Sequence, residues 1–128
     1  ITGGTSQIGL LIRSDTNTLF FNCYNGASAI SAANNNGTGT YVASIDSATT
    51  RFVRRNGVSV VSGGTATGGL PAFSIYIGAR NLNGVALNFA TCGISTAIIG
   101  TLGLSTSDAD SLRTFIDTYN ANVISGGR

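Results

Sequence analysis

The chain has 128 residues, a formal net charge of +2 and only 9% charged residues, and it contains no His, Lys, Glu, Met or Trp. This length makes one domain, large enough to bury roughly two-thirds of its unfolded surface. The cations are all arginine and few, which argues against nucleic acid as a partner, since that needs clustered positive charge. No apolar run approaches the roughly 18 residues of a membrane helix, so no membrane insertion is expected.

In chain order the pattern is one of short strands punctuated by turn residues, as in an all-β protein. Ile8 to Arg13 and Leu19 to Tyr24 flank the turn cluster Ser14-Asp15-Thr16-Asn17 and predict an antiparallel hairpin. Asn25-Gly26 leads to a third segment, Ala27 to Ala33, and Asn34-Asn35-Asn36-Gly37-Thr38-Gly39 predicts a loop. Tyr41, Ala43 and Ile45 alternate in a fourth strand. In the fifth, Phe52 and Arg54 share one face while Arg51, Val53 and Arg55 share the other. Asn56-Gly57 suits a type I′ turn into Val58 to Val61. The arginine trio Arg51, Arg54 and Arg55 is expected to form a solvated strand face. Ser62 to Gly69 predicts a glycine-threonine loop.

The C-terminal half carries the sharper signals. Phe73, Ile75 and Ile77 alternate with Ser74, Tyr76 and Gly78, which predicts a strand with one buried face, and Pro71 precedes it where no ladder donor is lost. Gly78 to Gly84 is rich in turn residues. Ile94 to Ile99 predicts a second, more buried strand. Ser105-Thr106-Ser107-Asp108 has the spacing of a capping box at a helix start. Ala109, Leu112, Ile116, Tyr119 and Val123 then form one apolar stripe at helical spacing, and Gly126-Gly127 stops the helix.

The runs Leu70 to Gly84 (LPAFSIYIGARNLNG), Ile94 to Ser105 (ISTAIIGTLGLS) and Leu112 to Tyr119 (LRTFIDTY) together resemble the C-terminal part of concanavalin A-like (laminin G/pentraxin-like) domains. The likeness is to the form found in bacteriophage tail, fibre and other virion proteins, and it extends back to the hairpin at Arg54 to Val58. It covers roughly Tyr41 to the end. Two positions depart from the pattern: Arg113 stands where a tyrosine is common, and Cys92 lies in a loop usually without cysteine. The resemblance implies a two-sheet antiparallel jelly-roll sandwich with one C-terminal helix, spanning 1–128 as a single domain. A chain without Met does not start at its own initiator, so Ile1 is expected to be a processed N-terminus or the start of the C-terminal part of a longer polypeptide.

Several constellations bear on chemistry. Asp15 and Asn17, with Asn22 nearby, offer calcium-type oxygens, but a calcium site needs several converging oxygens and a turn carboxylate more often bonds its own backbone. No cofactor or metal is expected. Cys23 and Cys92 suffice for one disulfide in an oxidising compartment, although a buried thiol at Cys23 would behave as a small hydrophobe. Ile1-Thr2-Gly3-Gly4 is similar to the mature start of trypsin-like proteases, yet without histidine there is no general base.

Glycoside hydrolysis uses two carboxylates. Asp15 and Asp46 are isolated, and Asp108, Asp110 and Asp117 fall on the helix, the first two complementing its dipole. No catalytic residue is therefore assigned, and the chain is expected not to be an enzyme. Loop amides that would suit sugar hydroxyls are Asn34, Asn35 and Asn36, together with Arg80, Asn81 and Asn83 after the strand end. Arg80 is more simply read as a group that holds its own turn, and Asn34 to Asn36 as an ordinary loop.

The expectation is a non-catalytic virion protein: a surface-exposed fibre, tail or head-appendage module with other virion proteins as partners and host-surface polysaccharide as a candidate ligand. A homo-oligomer is expected, trimeric in a fibre, at the virion surface or otherwise extracellular. The alternative is a carbohydrate-binding lectin domain of a secreted bacterial protein, which the lack of Trp and the scarcity of loop aromatics weaken. An enzyme fragment with its catalytic residues upstream is the third reading.

Overall fold

The computed structural model describes residues 9–12, 16–22, 29–47, 50–64, 74–82, 84–87, 89–100 and 103–124. Among these described residues eight strands precede one helix: β1 (Gly9–Leu11), β2 (Thr18–Asn22), β3 (Ile30–Ala33), β4 (Tyr41–Ser47), β5 (Thr50–Arg55), β6 (Val58–Ser62), β7 (Arg80–Leu82), β8 (Val85–Leu87) and α1 (Thr106–Tyr119), which runs on into a π-helical turn at Asn120–Ile124. All pairing is antiparallel, giving a β1-β2-β3 sheet, a β4-β5-β6 sheet and a separate β7-β8 hairpin. The described chain is thus mostly β, with two small three-stranded sheets and one C-terminal helix.

The β4-β5-β6 sheet is the middle layer, and the alternation of β5 shows why. Register pairs Ala43 with Val53 and Ile45 with Arg51, while Val42 pairs with Arg54 and Ser44 with Phe52. The first set belongs to the face that meets the β1-β2-β3 sheet, where Leu19, Phe21, Ile30 and Val53 form the main core with Leu10, Tyr41, Ala43 and Ile45 against it. The second set meets the helix through a smaller core of Val42, Phe52 and Ala109, with Leu104 beside it. Because a strand sends successive side chains to opposite faces, β5 is buried on both sides.

The β5–β6 turn follows its sequence: Asn56 has φ 50° and Gly57 φ 80°, the two positive values a type I′ turn requires. The helix start also forms as its sequence predicts. The Ser105 side chain accepts from the Asp108 backbone N–H at 3.2 Å, while the Asp108 carboxylate accepts from Ser105 N–H at 3.3 Å.

Four expectations need correction. The arginine trio is not a solvated face: Arg51 is only 1% exposed, and Arg54 is engaged by the helix. Ser74 to Ala79 form no strand, and Ile77 is 63% exposed. The ladder instead begins at Arg80, folding back at Gly84 (φ 88°), because Gly78 (φ 80°) turns the backbone first and the Ser74 carbonyl is taken by the Asn81 amide. Ile94 to Ile99 likewise join no ladder and their isoleucines are exposed; an apolar run signals a preference for burial but does not supply a partner. On α1 the expected stripe is only partly used. Ala109 is buried and Leu112 and Ile116 are half-buried, but Tyr119 at the end of α1 and Val123 in the π-helical turn are exposed.

Other expectations fall outside the described residues: the Asn25-Gly26 turn, Phe73, most of the 62–69 loop and the Gly126-Gly127 stop.

Candidate functional site

The candidate surface is the loop 34–40 between β3 and β4, and the fold builds it as a rigid staple. Asn34 is 6% exposed. Its amide donates to the Ile12 carbonyl at 2.6 Å and to the Tyr41 hydroxyl at 2.9 Å, and its backbone N–H donates to the Asn17 carbonyl at 2.7 Å. The Tyr41 hydroxyl in turn donates to the Asn36 carbonyl at 2.9 Å. The Asn36 carboxamide oxygen accepts from the Thr38 N–H at 2.9 Å and the Thr38 hydroxyl at 2.6 Å, an Asx-type turn.

The far side of the loop is held by β5 and its turn. Arg55 Nε donates to the Thr38 carbonyl at 2.8 Å, and its guanidinium lies 5.8 Å from the centre of the Tyr41 ring, within cation–π range. Asn56 accepts from the Thr40 N–H at 2.9 Å. Gly39 (φ 130°) fits because a side chain there would collide with Asn56. Within this framework Asn35 is the fully presented amide, with Asn36 and Thr38 exposed beside it.

The second expected loop is organised differently. Asn81, at 2% exposure, donates to the Ser74 carbonyl at 2.5 Å and accepts from the Gly84 N–H at 2.8 Å. Asn81 thus holds the turn, the role sequence reading gave to Arg80. The Arg80 side chain and Asn83 lie outside the described residues, as do Asp15, Cys23 and the side chain of Asp46. Of the six expected sugar contacts, Asn34 and Asn81 are buried and bonded to carbonyls and, for Asn34, the Tyr41 hydroxyl, and the Asn36 oxygen is taken by Thr38. The 35–41 loop and residues 75–79 border one broad open trough, continued by residues 89–100.

The helix carboxylates are also engaged. Asp110 receives both Nε and a terminal nitrogen of Arg54 at 3.1 Å, and the same arginine donates to the Gly57 carbonyl. Asp117 accepts from Arg113 at 2.8 Å and from the Thr40 hydroxyl at 2.6 Å. Asp108 closes the capping box. The Ser44 hydroxyl accepts from the Leu104 N–H at 2.7 Å. The Arg54–Asp110, Thr40–Asp117 and Ser44–Leu104 bonds fasten the helix and its approach to the β4–β5 hairpin, and local sequence pattern does not reveal them because they link residues 56 to 77 positions apart. The signal available was Arg54 on the same strand face as Phe52, a face that the amphipathic helix had to cover.

Among the described residues no three His, Cys, Asp or Glu side chains gather as metal ligands, and Cys92 is an exposed free thiol. Among the same residues no helix is long and apolar enough to cross a membrane. No protein family, no curated relative and no solved structure matches this chain.

Proposed function

We propose that this chain is a non-catalytic structural module of a bacteriophage virion, displayed on a fibre, tail or head appendage, and that its two three-stranded sheets belong to a concanavalin A-like jelly-roll sandwich. The observation that carries the reading is the set of exposed large apolar side chains between positions 75 and 99, among them Ile77, Val85, Phe89, Ile94 and Ile99. Exposed apolar side chains in this number favour association over life as a free monomer.

The motifs at Leu70 to Gly84 and Ile94 to Ser105 point towards virion proteins. The engagement of Asp108, Asp110 and Asp117 in caps and clamps supports the absence of catalysis, since a general acid or nucleophile must be free to meet substrate. The module joins copies of itself and other virion proteins. Its stapled Asn-rich loop, with Asn35 outermost, is the face offered to host polysaccharide, because recognition concentrates on loops held by a rigid scaffold.

Antibodies raised against the chain test this. They should decorate intact particles of the phage that encodes it, and particles that stay unlabelled both intact and after disruption would refute the reading.

A further inference from the structure

We infer that Asn36 is a self-modification site: the backbone nitrogen of Gly37 attacks the Asn36 side-chain carbonyl, ammonia leaves, and the residue becomes aspartate or isoaspartate. The same dipeptide at Asn56-Gly57 is held unreactive by the fold. The inference is independent of what the loop binds.

Two Asn-Gly steps lie wholly among the described residues, and their carboxamides are engaged differently. Asn36 is exposed, and its side-chain oxygen accepts from the Thr38 N–H at 2.9 Å and the Thr38 hydroxyl at 2.6 Å. Those bonds fold the carboxamide back over the Gly37 peptide that lies between, the proximity an intramolecular attack needs. Among the described residues nothing accepts from the Gly37 N–H. Nor does a side chain shield it, since even a β-carbon at Gly37 would touch only Ile12, at 3.8 Å.

The Asn56 carboxamide instead reaches across to Thr40, accepting from its N–H at 2.9 Å, and occupies the space that a side chain at Gly39 would need. The Asn56 backbone is fixed at φ 50° in the β5–β6 turn and donates to the Thr40 carbonyl at 2.9 Å. Bringing its side-chain carbon onto the Gly57 nitrogen would cost the carboxamide bond to Thr40 and the turn itself.

At Asn36 the reaction needs only water. Hydroxide takes the Gly37 amide proton, and the nitrogen forms a bond to Asn36 Cγ. Negative charge builds on Oδ1, where the two Thr38 donors are already in place to stabilise it. The Cγ–Nδ2 bond then breaks, Nδ2 takes a proton from water and leaves as ammonia, and a cyclic imide remains. Water opens the imide at Cγ to give aspartate, or at the backbone carbonyl to give isoaspartate. Either product puts a carboxylate into a loop already anchored by Arg55 through the Thr38 carbonyl, an arginine with no carboxylate partner among the described residues.

The test is incubation of the folded full chain in mildly alkaline buffer, followed by peptide mapping with tandem mass spectrometry that distinguishes asparagine, aspartate and isoaspartate at each position. Asn36 should convert at least about tenfold faster than Asn56, a difference that orientation alone supplies, and the two rates should converge in urea. Gly37→Ala, with open space and no positive φ to oppose it, should slow conversion about tenfold by crowding the approach. Thr38→Val should slow it about fivefold by removing one donor to the developing charge. Circular dichroism checks that each variant stays folded. Equal rates at Asn36 and Asn56 in the folded chain, or an Asn36 still intact when the chain in urea has fully converted, would overturn the inference. So would faster conversion in Thr38→Val, because the Thr38 bonds would then restrain the carboxamide rather than activate it.

Discussion

Removing the Arg54–Asp110 pair should detach the helix from the β4–β5 hairpin in a measurable way. The contact is a two-pronged fork at 3.1 Å, with side-chain exposures of 18% for Arg54 and 46% for Asp110. Exposed ion pairs contribute about 0.2 to 1 kcal/mol. Fork geometry and the near-burial of Arg54 place this one at the upper end, so the coupling from a double-mutant cycle should be about 1 kcal/mol. Arg54→Ala alone should cost more, about 2 kcal/mol, because it also removes the donor to the Gly57 carbonyl and packing beside Phe52. Asp110→Ala should cost about 1 kcal/mol. Urea unfolding followed by circular dichroism at the helix band reads all four proteins, given a two-state transition. Coupling should shrink in about 1 M salt, where screening is strong. A coupling indistinguishable from zero at low salt, or an Arg54→Ala chain as stable as wild type, would refute the clamp.

Other perturbations separate structural from presented residues. Ser105→Ala should lower stability by about 1 kcal/mol through loss of the capping box, read as a lower urea midpoint with unchanged slope. Asn34→Ala should cost about 1 to 3 kcal/mol by stranding the Ile12 carbonyl and the Tyr41 hydroxyl, whereas Asn35→Ala should leave the thermal midpoint unchanged and reduce any glycan signal on an array. Leu19→Ala, in the main core, should cost about 2 to 5 kcal/mol, against under about 0.5 for Ile98→Ala in the isolated monomer.

Local chemistry was the part of this fold legible in sequence. The Asn56-Gly57 turn, the Ser105 cap and the β1–β2 hairpin are each decided within a few residues, by positive φ, by a side chain reaching its own backbone, or by turn residues between apolar runs. Partner choice was not legible. Phe73 to Ile77 and Ile94 to Ile99 carry strand-like patterns, but pairing depends on which edges are open, and the ladder formed around Gly84 instead. Arg51 shows the same gap: charge predicts exposure, yet its alternation with Val53 places it on a face enclosed by a second sheet. At the candidate site the loop was evident, but not that Asn34 and Asn81 spend their amides on backbone carbonyls. That follows only from where Ile12 and Ser74 lie in space.

Mass spectrometry of purified particles tests the proposal that the chain is a virion component. Having no lysine, the chain is cut by trypsin only at its arginines, yielding the long peptides Asn56–Arg80 and Asn81–Arg113. Both should appear in gradient-purified particles at a fixed ratio to the major capsid protein from one preparation to the next. Recovery of these peptides from infected-cell lysate alone, with none banding with the particles, would contradict the account.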